Sequence, residues 1–201
     1  MSTELSTDDA LLQWKPRMGA LTVDEKIEVA ETLKKQANLH FKRGELSLAV
    51  NRYAKVFAYV NGLSVQGDAM SQYASRSINM NATQAQGATI DELKVACWSN
   101  MALCYVKMGT KPEKAVEYCD KVLAVDEAHS KALFRKAQAL MQLKHFDRAQ
   151  TILTRLERAE PKNASVRNEL KALAVAKKEY EGDARAKSSF NNIFNKKGGL
   201  F

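Results

Sequence analysis

The sequence predicts an all-α protein built as a stack of three helix–turn–helix repeats and closed by a C-terminal helix. Three observations predict it. Glycine and proline are scarce, at nine and three in 201 residues, while the good helix formers Ala, Leu, Lys and Glu are abundant. Small and apolar residues recur in register: Ala37, Ala49 and Tyr53 are twelve and four residues apart, and so are Ala137, Ala149 and Leu153. A third register runs Asn100, Ala102, Tyr105 and Ala115, lengthened by one residue around Gly109-Thr110-Lys111-Pro112. Small residues at matched positions let antiparallel helices approach closely, and larger ones fill between them.

The elements follow in order. Residues 1–21 are an N-terminal segment in which Leu11-Leu12-Gln13-Trp14 reads either as a short helix or as a docking peptide. Thr22-Val23-Asp24-Glu25 is a capping box that opens the first repeat. Ile27, Ala30, Leu33, Ala37 and Phe41 follow at helical spacing, and Gly44 ends the helix. Leu46 to Val60 is its antiparallel partner. An insertion at about 62–88 carries only two charges, Asp68 and Arg76, among many Ser, Gln and Asn. It predicts a long loop, or helix extensions with a polar crossover. Thr89-Ile90-Asp91-Glu92 predicts the start of the helix carrying Asn100, and Pro112 starts its partner at a first-turn position. Ser130 is the expected cap of the helix carrying Lys131 and Arg135. His145 to Glu160 returns, and Pro161 closes the three-repeat domain, residues 22–163. Residues 164–201 form a capping helix and basic tail, with Val166, Leu170, Leu173 and Val175 covering the end of the stack, as a solenoid requires.

Several function classes are excluded. No apolar run approaches a membrane span, and the N-terminus lacks the basic start and apolar stretch of a secretory signal. Cys97, Cys104 and Cys119 are an odd set without metal-ligand spacing, read as reduced core residues of a cytoplasmic protein, with the nucleus as a further location. His40, His129 and His145 lie in separate segments without a nucleophile or metal partner, and no Gly-rich phosphate loop exists. Neither an enzyme nor a cofactor is expected.

Charge is uneven. Residues 1–33 carry −4 and residues 171–201 carry +4, so residues 34–170 hold the whole net +8. Within that basic middle, Lys34 and Asn38 are four residues apart, as are Lys131 and Arg135, so each pair shares one helix face. If the repeats stack, these faces and Asn100 line one groove. Three cations and two amides then converge without a carboxylate, which suits a peptide carboxylate, best of all a free C-terminus beside an acidic side chain. Asn100 is disfavoured inside a helix and wants a partner. Phe41 and Val106 read equally as an apolar wall of this groove or as repeat core. A general basic scaffold for nucleic acid or other acidic partners is the alternative.

The register resembles the tetratricopeptide repeat, a unit of about 34 residues, which implies a right-handed superhelix. The stretches Ser99 to Gly109, Ala115 to Leu123, Lys131 to Ala137 and Asp24 to Glu31 resemble the corresponding repeats and opening helix of the large immunophilins, FKBP-type more than cyclophilin-type prolyl isomerases. The resemblance implies that Lys34, Asn38, Asn100, Lys131 and Arg135 form a two-carboxylate clamp for the Glu-Glu-Val-Asp C-terminus of heat-shock protein 90, or of heat-shock protein 70. It also implies calmodulin binding by the tail Phe190-Asn191-Asn192-Ile193-Phe194, for which continuation of the capping helix is the preferred reading. Only some twenty residues precede the first repeat, too few for an isomerase domain. The expectation is therefore a co-chaperone-type adaptor, with the docking fragment of a prolyl isomerase as the alternative.

Overall fold

The computed structural model describes residues 7–17, 19–65 and 80–197, with side chains as far as Lys187. A short helix α1 (Thr7–Gln13) precedes three helical hairpins. These are α2 (Val23–Lys42) with α3 (Leu46–Val60), α4 (Gln84–Met108) with α5 (Pro112–Val125), and α6 (Ser130–Gln142) with α7 (Phe146–Ala159). The long helix α8 (Ala164–Lys197) follows. Each helix packs on its successor, and α4 also packs on both α2 and α6. The first helices of the hairpins thus lie side by side, in an all-α tetratricopeptide superhelix.

The register residues explain the packing. Ala37, Ala49, Ala102, Ala115, Ala137 and Ala149 are all 0% exposed. A methyl group is all that the approach of each helix pair leaves room for, and a larger side chain there would cost roughly 1–3 kcal/mol in overpacking. One core cluster gathers Leu33, Val56, Leu93 and Met101, and a second gathers Leu140, Leu153, Leu156, Val166 and Leu173. The three cysteines are free and buried within this packing.

Several boundaries fall where the sequence places them. Thr22 and Glu25 form the reciprocal capping box of α2. Pro112 occupies the first turn of α5. Gly44 and Gly109 take positive φ, at 77° and 64°, just beyond α2 and α4. The extra residue of the second repeat is absorbed by Lys111, which caps α5 in the left-handed region at φ 53°.

Other expectations are corrected. Helix α4 begins at Gln84 rather than near Thr89, because Thr83 and Gln86 already form a capping box. Thr89 lies inside the helix, where its hydroxyl donates to the Ala85 carbonyl at 3.2 Å. The insertion is therefore partly a helix extension. Ser64 and Val65 pair in parallel with Asn81 and Ala82 across it, and Val65 packs so close to Gly87 that a Cβ there would meet it at 2.8 Å. Residues 66–79 lie outside the described residues. The cap of α6 is His129, whose Nδ1 accepts from the Ala132 amide at 3.1 Å, and Ser130 is the first helical residue. In α8, Val166 and Leu173 are buried and Leu170 is half-buried, but Val175 is 57% exposed and does not cover the stack. The helix backbone continues across residues 190–194, whose side chains lie outside the described residues, as do residues 198–201.

Of the two readings of the N-terminal segment, the structure has the short helix. Leu11, Leu12 and Gln13 end α1, and the helix docks on α2. Gln36, 0% exposed, donates through Nε2 to the carbonyls of Leu11 at 2.7 Å and Trp14 at 2.8 Å. Arg43 pairs with Asp9 at 2.8 Å. No helix among the described residues is long and apolar enough to cross a membrane.

Candidate peptide-binding groove

The parallel placement of α2, α4 and α6 brings residues from all three repeats together. Asn38 on α2 and Asn100 on α4 meet across a buried tyrosine of α3. The Tyr53 hydroxyl donates to Asn38 Oδ1 at 2.5 Å, and Asn100 Nδ2 donates to the Tyr53 hydroxyl at 3.2 Å. Asn100 Nδ2 also lies 3.5 Å from Asn38 Oδ1. One residue before Asn100, Ser99 holds the cation of the third repeat. Arg135 Nη1 donates to the Ser99 carbonyl at 2.6 Å and to the Ser99 hydroxyl. Asn38, Tyr53, Asn100, Ser99 and Arg135 thus form one connected set running through the three repeats.

Electrostatics mark this set as short of negative charge. Arg135 is half-buried, and burial lowers its pKa, because a guanidinium loses hydration there. Among the described residues no carboxylate pairs with Arg135, Lys34 or Lys131, whereas neighbouring cations are matched. Lys136 pairs with Asp120 at 2.6 Å, and Glu117 takes both Lys114 and Lys121, at 2.7 and 2.9 Å. That double pairing holds the Glu117 carboxyl down at about 2. Lys34 is half-buried and acts on the Cys97 thiol of α4. Lys131 is exposed and lines a cleft of about 460 Å³ together with Arg135, Leu103, Phe134 and Glu160. The carboxylate of that cleft, Glu160, is engaged by Asn163 Nδ2 at 2.7 Å and by Ser130, which together lower its pKa.

The two apolar candidates differ. Phe41 is half-buried and packs against the first core cluster, with Lys107 Nζ 5.1 Å above its ring. It is thus core on one side and a cation-binding face on the other. Val106 is half-buried beside Lys107 and joins neither core cluster. Its carbonyl accepts from Gln142 Nε2 at 2.9 Å, which ties α4 to the end of α6.

Two residues of the set were not legible as functional in the sequence. Ser99 carries no signal of its own. Tyr53 carries one: the equivalent register positions hold Cys119 and Leu153, so the first repeat alone adds a buried hydroxyl, and such a hydroxyl must find a partner.

Comparison with known proteins agrees with this architecture. A tetratricopeptide-repeat family model matches residues 108–174. The FKBP42 peptidyl-prolyl cis-trans isomerase of Arabidopsis thaliana is 29% identical over 178 residues, covering 88% of this chain and 44% of the relative. The chain spans less than half the length of the curated relatives it matches. Among solved structures, the C-terminal tetratricopeptide-containing domain of a Plasmodium falciparum FK506-binding protein superposes with a TM-score of 0.66 at 23% identity, covering 81% of this chain and 97% of that one. The first tetratricopeptide domain of Spaghetti (RPAP3), bound to the heat-shock protein 90 peptide SRMEEVD, superposes at 0.53 with 21% identity, covering 74% and 93%. The chain has the tetratricopeptide-repeat fold and is similar in sequence to FKBP-type prolyl isomerases over most of its length.

Proposed function

We propose that this domain is a co-chaperone-type adaptor that binds the acidic C-terminal peptide of heat-shock protein 90 or heat-shock protein 70. In this reading the protein works in the cytoplasm and its role is recognition, without chemistry. The observation that carries it is the unneutralised cation set: among the described residues Arg135, Lys34 and Lys131 have no carboxylate partner, Lys34 lies one turn before Asn38, Lys131 and Arg135 line one cleft, and Arg135 bonds to the residue next to Asn100. A half-buried cation held without a counter-charge is relieved by an anionic ligand. Lys34, Asn38 and Asn100 would hold the terminal carboxylate. Lys131 and Arg135 would hold the remaining backbone and acidic side-chain groups. Phe41 and Val106 would form the apolar wall. That Spaghetti (RPAP3) takes a peptide ending in Glu-Glu-Val-Asp on the same fold supports the choice of ligand.

Calorimetric titration with Met-Glu-Glu-Val-Asp tests the reading. Amidating the peptide's terminus removes one charge-assisted contact, worth about 1.5–3 kcal/mol, so affinity should fall at least about tenfold. Equal affinity for the two forms would sink the clamp.

A second reading is favoured by the homology to FKBP42: the domain is the docking half of a prolyl isomerase. An upstream reading frame encoding the catalytic domain would decide it, and the groove would serve the same ligand in either case.

A further inference from the structure

We infer that Tyr53 is the residue that makes the groove select a carboxylate over a carboxamide, by fixing which end of the Asn38 side chain faces the ligand. The inference rests on the peptide-binding reading above and deepens it.

An asparagine amide presents an acceptor on one end and two donors on the other. Left free to flip, Asn38 could bind either an anionic oxygen or an N–H. Two contacts remove that freedom. The Tyr53 hydroxyl donates to Asn38 Oδ1 at 2.5 Å, and Asn100 Nδ2 faces the same oxygen at 3.5 Å. Flipping Asn38 would set its nitrogen against the nitrogen of Asn100, donor against donor. With the oxygen engaged on α3, the amide nitrogen of Asn38 is the end left for the groove.

Tyr53 itself is locked. Its ring is 1% exposed, and its hydroxyl accepts from Asn100 Nδ2 at 3.2 Å, so its single hydrogen is committed to Asn38. Burial raises its pKa well above the ordinary range, so the hydroxyl stays protonated and remains a donor. The position needs no hydroxyl for packing, since Cys119 and Leu153 fill it in the other repeats and are equally buried. A carboxylate brings only acceptors and suits donors held this way. A carboxamide brings N–H groups that would meet no acceptor at Asn38, and an unmet buried polar group is costly.

The test is titration of the wild-type protein and Tyr53→Phe with Met-Glu-Glu-Val-Asp as the free acid and as the C-terminal carboxamide. Wild type should prefer the acid at least about tenfold, from the loss of one charge-assisted bond. In Tyr53→Phe the ratio should shrink to within about threefold, mostly through weaker binding of the acid, because the amide can now flip. Equal losses for both peptides, with the ratio kept, would show that Tyr53 only supports the fold and would overturn the inference while leaving the adaptor reading intact. Wild type that binds neither peptide would overturn both. Tyr53→Leu, the side chain of the third repeat, is the second variant should Phe fold poorly, and it should behave the same way. A ligand-free check is the Tyr53 hydroxyl proton in NMR spectra. It should exchange slowly and show contacts to the Asn100 amide, and a freely exchanging proton would count against the lock.

Discussion

Arg135 on α6 donates through Nη1 to the main-chain carbonyl of Ser99 on α4, at 2.6 Å. One end of its planar guanidinium is spent on positioning, which leaves the other to face the groove. A lysine in its place could hold the carbonyl or a ligand, but not both in a fixed plane.

This relationship separates a specific site from a basic surface. Arg135→Ala should nearly abolish binding of the chaperone peptide, whereas Lys171→Ala should leave it almost unchanged. Lys171 lies exposed on α8 and contributes only diffuse attraction, screened within about 10 Å at 0.1 M salt. Circular dichroism should first establish that both variants fold. Equal losses at physiological salt would favour the basic-patch alternative.

The buried cysteines make stability depend on alkaline pH. Burial pushes the thiols of Cys97, Cys104 and Cys119 up from 9.0 to about 12, 11 and 12. In the unfolded chain they ionise near the ordinary value, so the native state is the one that keeps their protons. Stability is therefore fully present below pH 9 and should fall as pH rises from 9.0 towards about 11–12. Each thiol contributes up to about 1.4 kcal/mol per pH unit in that window. Denaturant melts at pH 8 and 10 measure it, and replacing Cys97 and Cys119 by Ala should reduce the slope. At pH 8 the native thiols should react with a disulfide reagent far more slowly than those of the unfolded chain.

Gln36 should hold α1 in place without holding the repeats. Gln36→Leu keeps the volume but leaves the carbonyls of Leu11 and Trp14 without their donor. A lost buried partner costs about 1–3 kcal/mol. The amides of α1 should then exchange much faster while those of α4 and α6 are unchanged. Uniform acceleration throughout the domain would show instead that α1 docking is part of the global fold.

The adaptor reading also expects no catalysis. Purified protein should not accelerate prolyl cis/trans exchange in a model peptide, and turnover that survives repurification would show an active site outside the groove.

Much of the fold was legible because its determinants are local or periodic. The alanine register predicts the helix pairing, since only a methyl group allows such approach, and Leu46 to Val60 shows its whole length through an uninterrupted apolar stripe. Pro112 and the Thr22–Glu25 box are read within a single turn. Local signals fail where two of them compete. Thr89–Glu92 reads as a capping box, but in the fold Thr83 and Gln86 supply the cap and Val65 packs against Gly87 in the extra turns of α4. His129 displaces Ser130 as a cap because its ring nitrogen reaches the Ala132 amide. Val175 is apolar at helical spacing yet exposed, because it lies off the face by which Leu173, Lys177 and Tyr180 of the same helix contact the stack.

By itself, the sequence determined the all-α repeat architecture, the spacing that puts Lys34 with Asn38 and Lys131 with Arg135 on single helix faces, and the absence of matching acids among them. Only the tertiary structure decided how those groups are held. Tyr53 looks like filler in a register of apolar residues until α3 carries its hydroxyl between Asn38 and Asn100, and Ser99 is silent until α6 lays Arg135 across it. Hydrogen bonds between residues 36 to 62 positions apart leave no periodic trace, because they depend on how whole helices are set against one another. A helical pattern records which face is buried, but not which polar atom it meets there.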